Sequence, residues 1–139
     1  MSSAREVAER FLDAVIGGGL ADLYAEDSVI EIPFAPEGVP TRFEGRQGHR
    51  ERFELSAKVI RRDRTDNVVI HETADPEVVV LEYDLHGTLL GSGRPVVLSY
   101  IMVMRVRDGL IVHSRDYGNP LATAEFREEL VRALRSEQV

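Results

Sequence analysis

The stretch Arg107-Asp108-Gly109-Leu110-Ile111-Val112-His113-Ser114-Arg115-Asp116-Tyr117-Gly118-Asn119-Pro120 decides how this chain folds. Asp108-Gly109 is a hairpin signal, because both residues tolerate the positive φ angles of a two-residue turn. It joins a long strand expected over Val96–Val106 to a second over Leu110–Tyr117. The two must run antiparallel, since a parallel pair needs a long crossover. Asn119-Pro120 then predicts a helix start, with Asn as N-cap and Pro at the first helical position.

The pattern extends toward the N-terminus. Val78–Thr88 alternates, with Leu81, Tyr83 and Leu85 on one side and Glu82, Asp84 and His86 on the other. Gly91-Ser92-Gly93 marks the turn that follows. Val68-Val69-Ile70 reads as a short strand, and the basic run Arg61–Arg64 as a solvated helix end and turn. A helix is expected from Gln47 to about Ile60, with Phe53, Ala57 and Ile60 on one face. Ser28–Phe34 reads as a strand that Pro33 ends or places at an edge, followed by a loop from Ala35 to Gly45. Ser3-x-x-Glu6 predicts a capping box. Val7, Ala8, Phe11, Leu12, Val15 and Ile16 recur behind it at helical spacing, up to Gly17-Gly18-Gly19. Leu20–Tyr24 is expected to form one short helical turn. The closing helix runs to about Leu134, with Phe126, Leu130 and Leu134 at spacing four. The expected class is α+β, as one domain over residues 1–139.

Composition narrows the function. The 139 residues are 43% hydrophobic, ordinary for a packed domain. The net charge of -7 argues against nucleic-acid binding, which needs clustered Lys and Arg. The absence of cysteine removes thiolate nucleophiles and Cys-based metal sites. No apolar leader or membrane-length run is visible, so the expected location is cytoplasmic. His71, His86 and His113 show no ligand spacing, so neither a metal nor a cofactor is expected.

These elements, with Leu23-Tyr24-Ala25-Glu26-Asp27-Ser28, Glu31-Ile32-Pro33-Phe34, Phe43-Glu44-Gly45-Arg46 and the opening stretch, resemble the SnoaL-like branch of the NTF2-like superfamily. The likeness covers nearly the whole chain. It implies a cone, in which a strongly curved sheet wraps on three helices around a pocket, and frequent homodimers through the sheet. The superfamily includes ketosteroid isomerases, polyketide cyclases, limonene-type epoxide hydrolases, dehydratases and non-catalytic modules, so fold alone does not give the reaction.

Asp116 is the foremost candidate acid. Alternation places it with Leu110, Val112 and Ser114, and burial there would raise its pKa into a useful range. The segment Arg115-Asp116-Tyr117 is similar to one in limonene-type epoxide hydrolases, whose aspartate is the catalytic acid. The same family implies an Arg-x-Asp on an earlier strand. Here Glu82-Tyr83-Asp84 stands in that place, which makes Asp84 a second candidate, although alternation turns it outward. The isomerase resemblance implies a base before the first strand's proline, a tyrosine on the first helix and an aspartate on the long strand. Ile32, Phe11 and Met102 stand there, which argues against that arrangement. Phe11, Ile32, Phe34, Tyr83, Tyr100, Met102 and Met104 are instead expected to line an apolar pocket. His49 reads as a solvated helix residue. Val97, Ile101 and Val103, on the other face of the long strand, suggest a dimer interface. The expectation is an acid-base enzyme for an apolar or polycyclic small molecule, with a non-catalytic binding or assembly module as the rival.

Overall fold

The computed structural model describes residues 2–122 and 124–137. Helix α1, Ala4–Gly17, starts with the expected capping box: Ser3 accepts from the Glu6 N–H, and Glu6 accepts from that of Ser3. Its buried face is Val7, Ala8, Phe11 and Val15. Gly18 and Gly19 end it with φ of 92° and 81°, angles that residues with a Cβ rarely take. One 3₁₀ turn, Leu20–Leu23, leads into strand β1, Tyr24–Glu31. Then follow β2 (Arg42–Glu44), α2 (Arg46–Ala57), β3 (Ile60–Glu72), β4 (Val78–Leu89), β5 (Pro95–Arg107), β6 (Leu110–Gly118) and α3 (Ala124–Glu137).

The six strands form one curved, unclosed sheet in the order β2-β1-β6-β5-β4-β3. Every pair is antiparallel except β1 with β6, where everything between them in sequence serves as the crossover. One face carries the core: Val79, Leu81, Tyr83, Leu85 and Leu89 from β4, Leu98, Met102, Met104 and Val106 from β5, and Ile111 from β6, packed against α1. Burying each large apolar side chain contributes about 1.5–3 kcal/mol. Gly87 also faces inward, and a Cβ there would lie 2.7 Å from Ile60 Cδ1 and 2.9 Å from the Arg61 carbonyl oxygen. The start of β3 can therefore cross this point only over a glycine.

Several expected boundaries move. β1 begins at Tyr24 and ends before Pro33. Helix α2 stops at Ala57, and Ile60 opens β3. The run Arg61–Arg64 lies inside β3, because that strand pairs with β4 along most of its length. Its outer edge is solvated, so charge was no bar to strand formation. α3 starts at Ala124, not Asn119. The Asn119 side chain instead accepts from the Leu121 N–H at 3.0 Å, a turn rather than a cap. The Leu134 side chain lies outside the described residues.

The face assignment on β6 is corrected as well. Arg105 pairs with His113 and Val106 with Ile111, so Val112 is the extra residue of a β-bulge. The buried residues are therefore Ile111 and Ser114, and Leu110 and Val112 do not continue their face. Asp116 does share the face of Ser114.

Candidate functional site

The bulge aims the distal half of β6. Beyond it, Ser114 and Asp116 point to the interior, and Asp116 lies directly across from Met102 of β5. The Ser114 hydroxyl donates a hydrogen bond to the Asp116 carboxylate. Asp116 keeps part of its surface accessible. Burial nevertheless raises its pKa to about 6, against the opposing pull of the Ser114 bond, Arg52 and His113. Both protonation states are then populated near neutrality.

Helix α2 faces this acid from across the interior. His49, Arg52 and Phe53 lie three and one residues apart on its inward side. Burial lowers the Arg52 pKa, and Asp116 and Tyr24 oppose that; a guanidinium nonetheless stays charged. Its central carbon stacks 3.7 Å above the Phe43 ring of β2. His49 is fully buried, contrary to its reading as a solvated residue. It packs edge-on against Tyr24, with ring centroids 5.4 Å apart. Burial, then the Arg52 charge, lowers its pKa and favours the neutral ring, with the Ser28 main chain working the other way.

Three phenols complete the surroundings. Tyr83 and Tyr100 pack together at 5.4 Å. Burial pushes Tyr100 up to about 12 and Tyr24 and Tyr83 well above the usual phenol range, and the Asp116 charge adds to each shift. All three remain protonated and can donate a hydrogen bond. Arg62, on β3, is half-buried near Tyr100 and Tyr83, and donates to Ser56 Oγ at 2.8 Å.

Two of the grooves formed by the described residues bear on this region. One, of about 530 Å³, lies between the end of α1 and the start of β3, with Val15, Leu20, Phe53 and Ile60 among its walls. The other, about 470 Å³, is lined by Phe34, Tyr83, Asp84, Tyr100 and Tyr117, among others. Asp116 lines neither, but the second groove reaches Tyr83 and Tyr100, on which its charge acts.

The candidates from sequence thus separate. Phe11, Tyr83, Tyr100, Met102 and Met104 come together on the inner side, Phe11 meeting Tyr83 edge-on at 6.1 Å. Ile32 packs against the edge of this core. Phe34 does not line the interior: it is 64% exposed and rests on Tyr117. The strand it was assigned to ends at Glu31, so alternation no longer governs it. Asp84 sits on the outer face, where Asn67 Nδ2 and Ser99 Oγ donate to it at 2.8 and 2.7 Å. Those bonds lower its pKa, and the structure does not bring it together with Asp116. His71, His86 and His113 pair with Glu82, Asp66 and Glu31. Sequence reasoning missed Arg52 and Tyr24. The signal for Arg52 was its place one residue before Phe53, on the edge of the inward face of α2.

A half-buried acid and neutral phenols thus sit inside a helix-wrapped, unclosed sheet, the cone of the ketosteroid isomerase-like fold. Residues 8–114 match the SnoaL-like domain, and the chain belongs to that family. It is 36% identical over 129 residues to a PhzA/B-like protein of Pseudomonas aeruginosa, covering 88% of this chain and 89% of that one. A Bacillus subtilis protein proposed to be an isomerase superposes with a TM-score of 0.82 at 32% identity, over 91% of this chain and 93% of that one. A proposed polyketide cyclase from Pseudomonas putida superposes with a TM-score of 0.77 at 20% identity, over 90% and 98%, and supports the fold alone.

Proposed function

We propose that the protein catalyses proton transfer on a small molecule with an apolar body, in the manner of an isomerase or cyclase, with Asp116 as general acid-base. The observation that carries this is the Asp116 carboxyl itself, held by burial at a pKa of about 6 beside Met102 and Ser114. An acid poised near the working pH takes and returns a proton with least penalty. Tyr83 and Tyr100 supply neutral donors for the oxygen that gains charge when a carbon next to a carbonyl loses its proton. These donors differ from those of the ketosteroid isomerases, whose polar positions are apolar here.

The test is solvent exchange. The purified protein is incubated in D₂O with a panel of cyclic ketones, and deuterium incorporation beside the carbonyl is followed by NMR. The reading expects exchange on at least one ketone, lost in Asp116→Asn. Equal exchange by both proteins contradicts it. A binding module of the same fold is the second reading, favoured by the fact that the two grooves described above are lined by other residues than Asp116. Saturable binding without exchange on any of the panel would select it.

A further inference from the structure

The groove between the end of α1 and the start of β3 holds a cation that the proton-transfer chemistry does not use. Three arginines line it: Arg50, Arg61 and Arg62. Arg50 is paired with Asp22 at 2.7 Å and Arg61 with Asp63 at 2.6 Å. Arg62 makes no ion pair among the described residues. Its Nη2 donates to Ser56 Oγ at 2.8 Å, a neutral partner. The groups that favour its charge are Tyr100 and Tyr83, and both phenols stay protonated at neutral pH. The half-buried guanidinium thus stands without a counter-charge, an arrangement that protein interiors disfavour.

The groove has room for that counter-charge. Arg62 lies opposite Gly87 on the inner side of the sheet, and it forms part of the wall of a space of about 530 Å³. None of its nitrogens is a sealed, unmatched atom of the kind found at Arg52. The N–H groups that Ser56 leaves unused therefore keep access to open space. Most of the wall is apolar, with Val15, Leu20, Phe53 and Ile60 as its larger members. Gly17 belongs to it too. Its backbone is outside the left-handed region, and a Cβ there would meet no atom within 4 Å. Neither conformation nor packing calls for glycine at this point, and its effect is to leave the wall bare. Glu54, the other carboxylate of the wall besides Asp22, is exposed. Three arginines against Asp22 and Glu54 leave the wall one positive charge in excess, which a singly charged anion matches.

We infer that this groove binds a small organic monoacid, with its carboxylate on Arg62 and its apolar body along Val15, Phe53 and Ile60. A guanidinium can hold a carboxylate through two parallel N–H···O bonds, and apolar walls with few polar groups suit the rest of such a molecule. The inference does not depend on the acid-base reading, because Asp116 is no part of this wall.

Naphthoate and naphthamide test this, because they share ring and size and differ in charge. Each is titrated into the full chain and followed by amide NMR shifts. The shifts are expected at Gly17–Ala21 and Ala57–Arg62, and naphthoate is expected to bind about tenfold more tightly, the difference that one charge-assisted contact makes. Arg62→Gln should bring the two to equal affinity, and Arg62→Lys, which keeps the charge, should retain part of the preference. Arg50→Gln removes a paired cation from the same wall and should leave the preference in place. Equal affinities in the unsubstituted protein, no saturable naphthoate binding, shifts confined to other parts of the chain, a preference that survives Arg62→Gln, or one lost equally in Arg50→Gln would each overturn the assignment. The acid-versus-amide comparison needs no substitution, so a poorly folded variant does not shield the proposal. Failure of the acid-base reading leaves a separate mark: deuterium exchange would be the same in Asp116→Asn and the unsubstituted protein, while naphthoate would still be preferred through Arg62.

Discussion

Arg52 and Asp116 act on each other across the interior, from α2 and from β6, yet burial dominates the pKa of both. Asp116 eases the cost of the Arg52 charge, and Arg52 pulls the Asp116 pKa down without returning it to the ordinary range. The acid is therefore neither fully paired nor freely solvated.

This condition has a stability signature. The folded Asp116 pKa, about 6, lies above its ordinary 3.8. The native state thus binds the proton more tightly, and stability falls as pH rises through that window. The penalty is absent below the ordinary value and complete above about 6. Two pH units correspond to about 3 kcal/mol. Asp116→Asn, which carries no charge, is expected to be more stable than the unsubstituted protein at pH 7 by up to that amount, and equal to it near pH 4. Urea unfolding across this range measures the difference, and a variant less stable at pH 7 would contradict it.

Ser114→Ala isolates the hydrogen bond. The Ser114 hydroxyl lowers the Asp116 pKa by stabilising the carboxylate. Its removal should move the Asp116 midpoint upward from about 6 in an NMR titration. An unchanged or lower midpoint would show that the bond does not hold in solution.

Asp84→Asn serves as the contrast. Asn67 and Ser99 hold Asp84 in its charged form on the outer face. The variant should leave deuterium exchange intact and lose some stability above the ordinary carboxylate range, the loss fading as pH falls. Abolished exchange with unchanged binding would place Asp84 in the chemistry after all.

The extent to which the sequence revealed this arrangement varied with how local the signal was. The faces of β4, the Asp108-Gly109 hairpin and the α1 cap follow from nearest neighbours, and all appear as read. Asp116 shared the face of Ser114 as alternation required. The bulge at Val112 depends on how β5 pairs opposite it, which no local pattern encodes. The start of β3 reads as a helix end and turn, and only Val68–Ile70 as a strand, because an edge strand tolerates charge on its open side. The burial of Arg52 and His49 needs Phe43 and Tyr24 to close over α2, a tertiary event, and so half of the candidate site was out of reach.

Gly87→Ala tests the packing that shapes the cone. The added methyl would meet Ile60 Cδ1 and the Arg61 carbonyl at under 3 Å. Overpacking of this kind costs about 1–3 kcal/mol. Thermal or urea unfolding should show a loss of that order, and a neutral variant would mean that the start of β3 yields easily.

The most direct measurement is the titration of the Asp116 carboxyl carbon by ¹³C NMR, assigned by its loss in Asp116→Asn. The account predicts a midpoint near 6. A midpoint at or below the ordinary aspartate value would make Asp116 a plain carboxylate at neutral pH and contradict its role as the acid-base of the site.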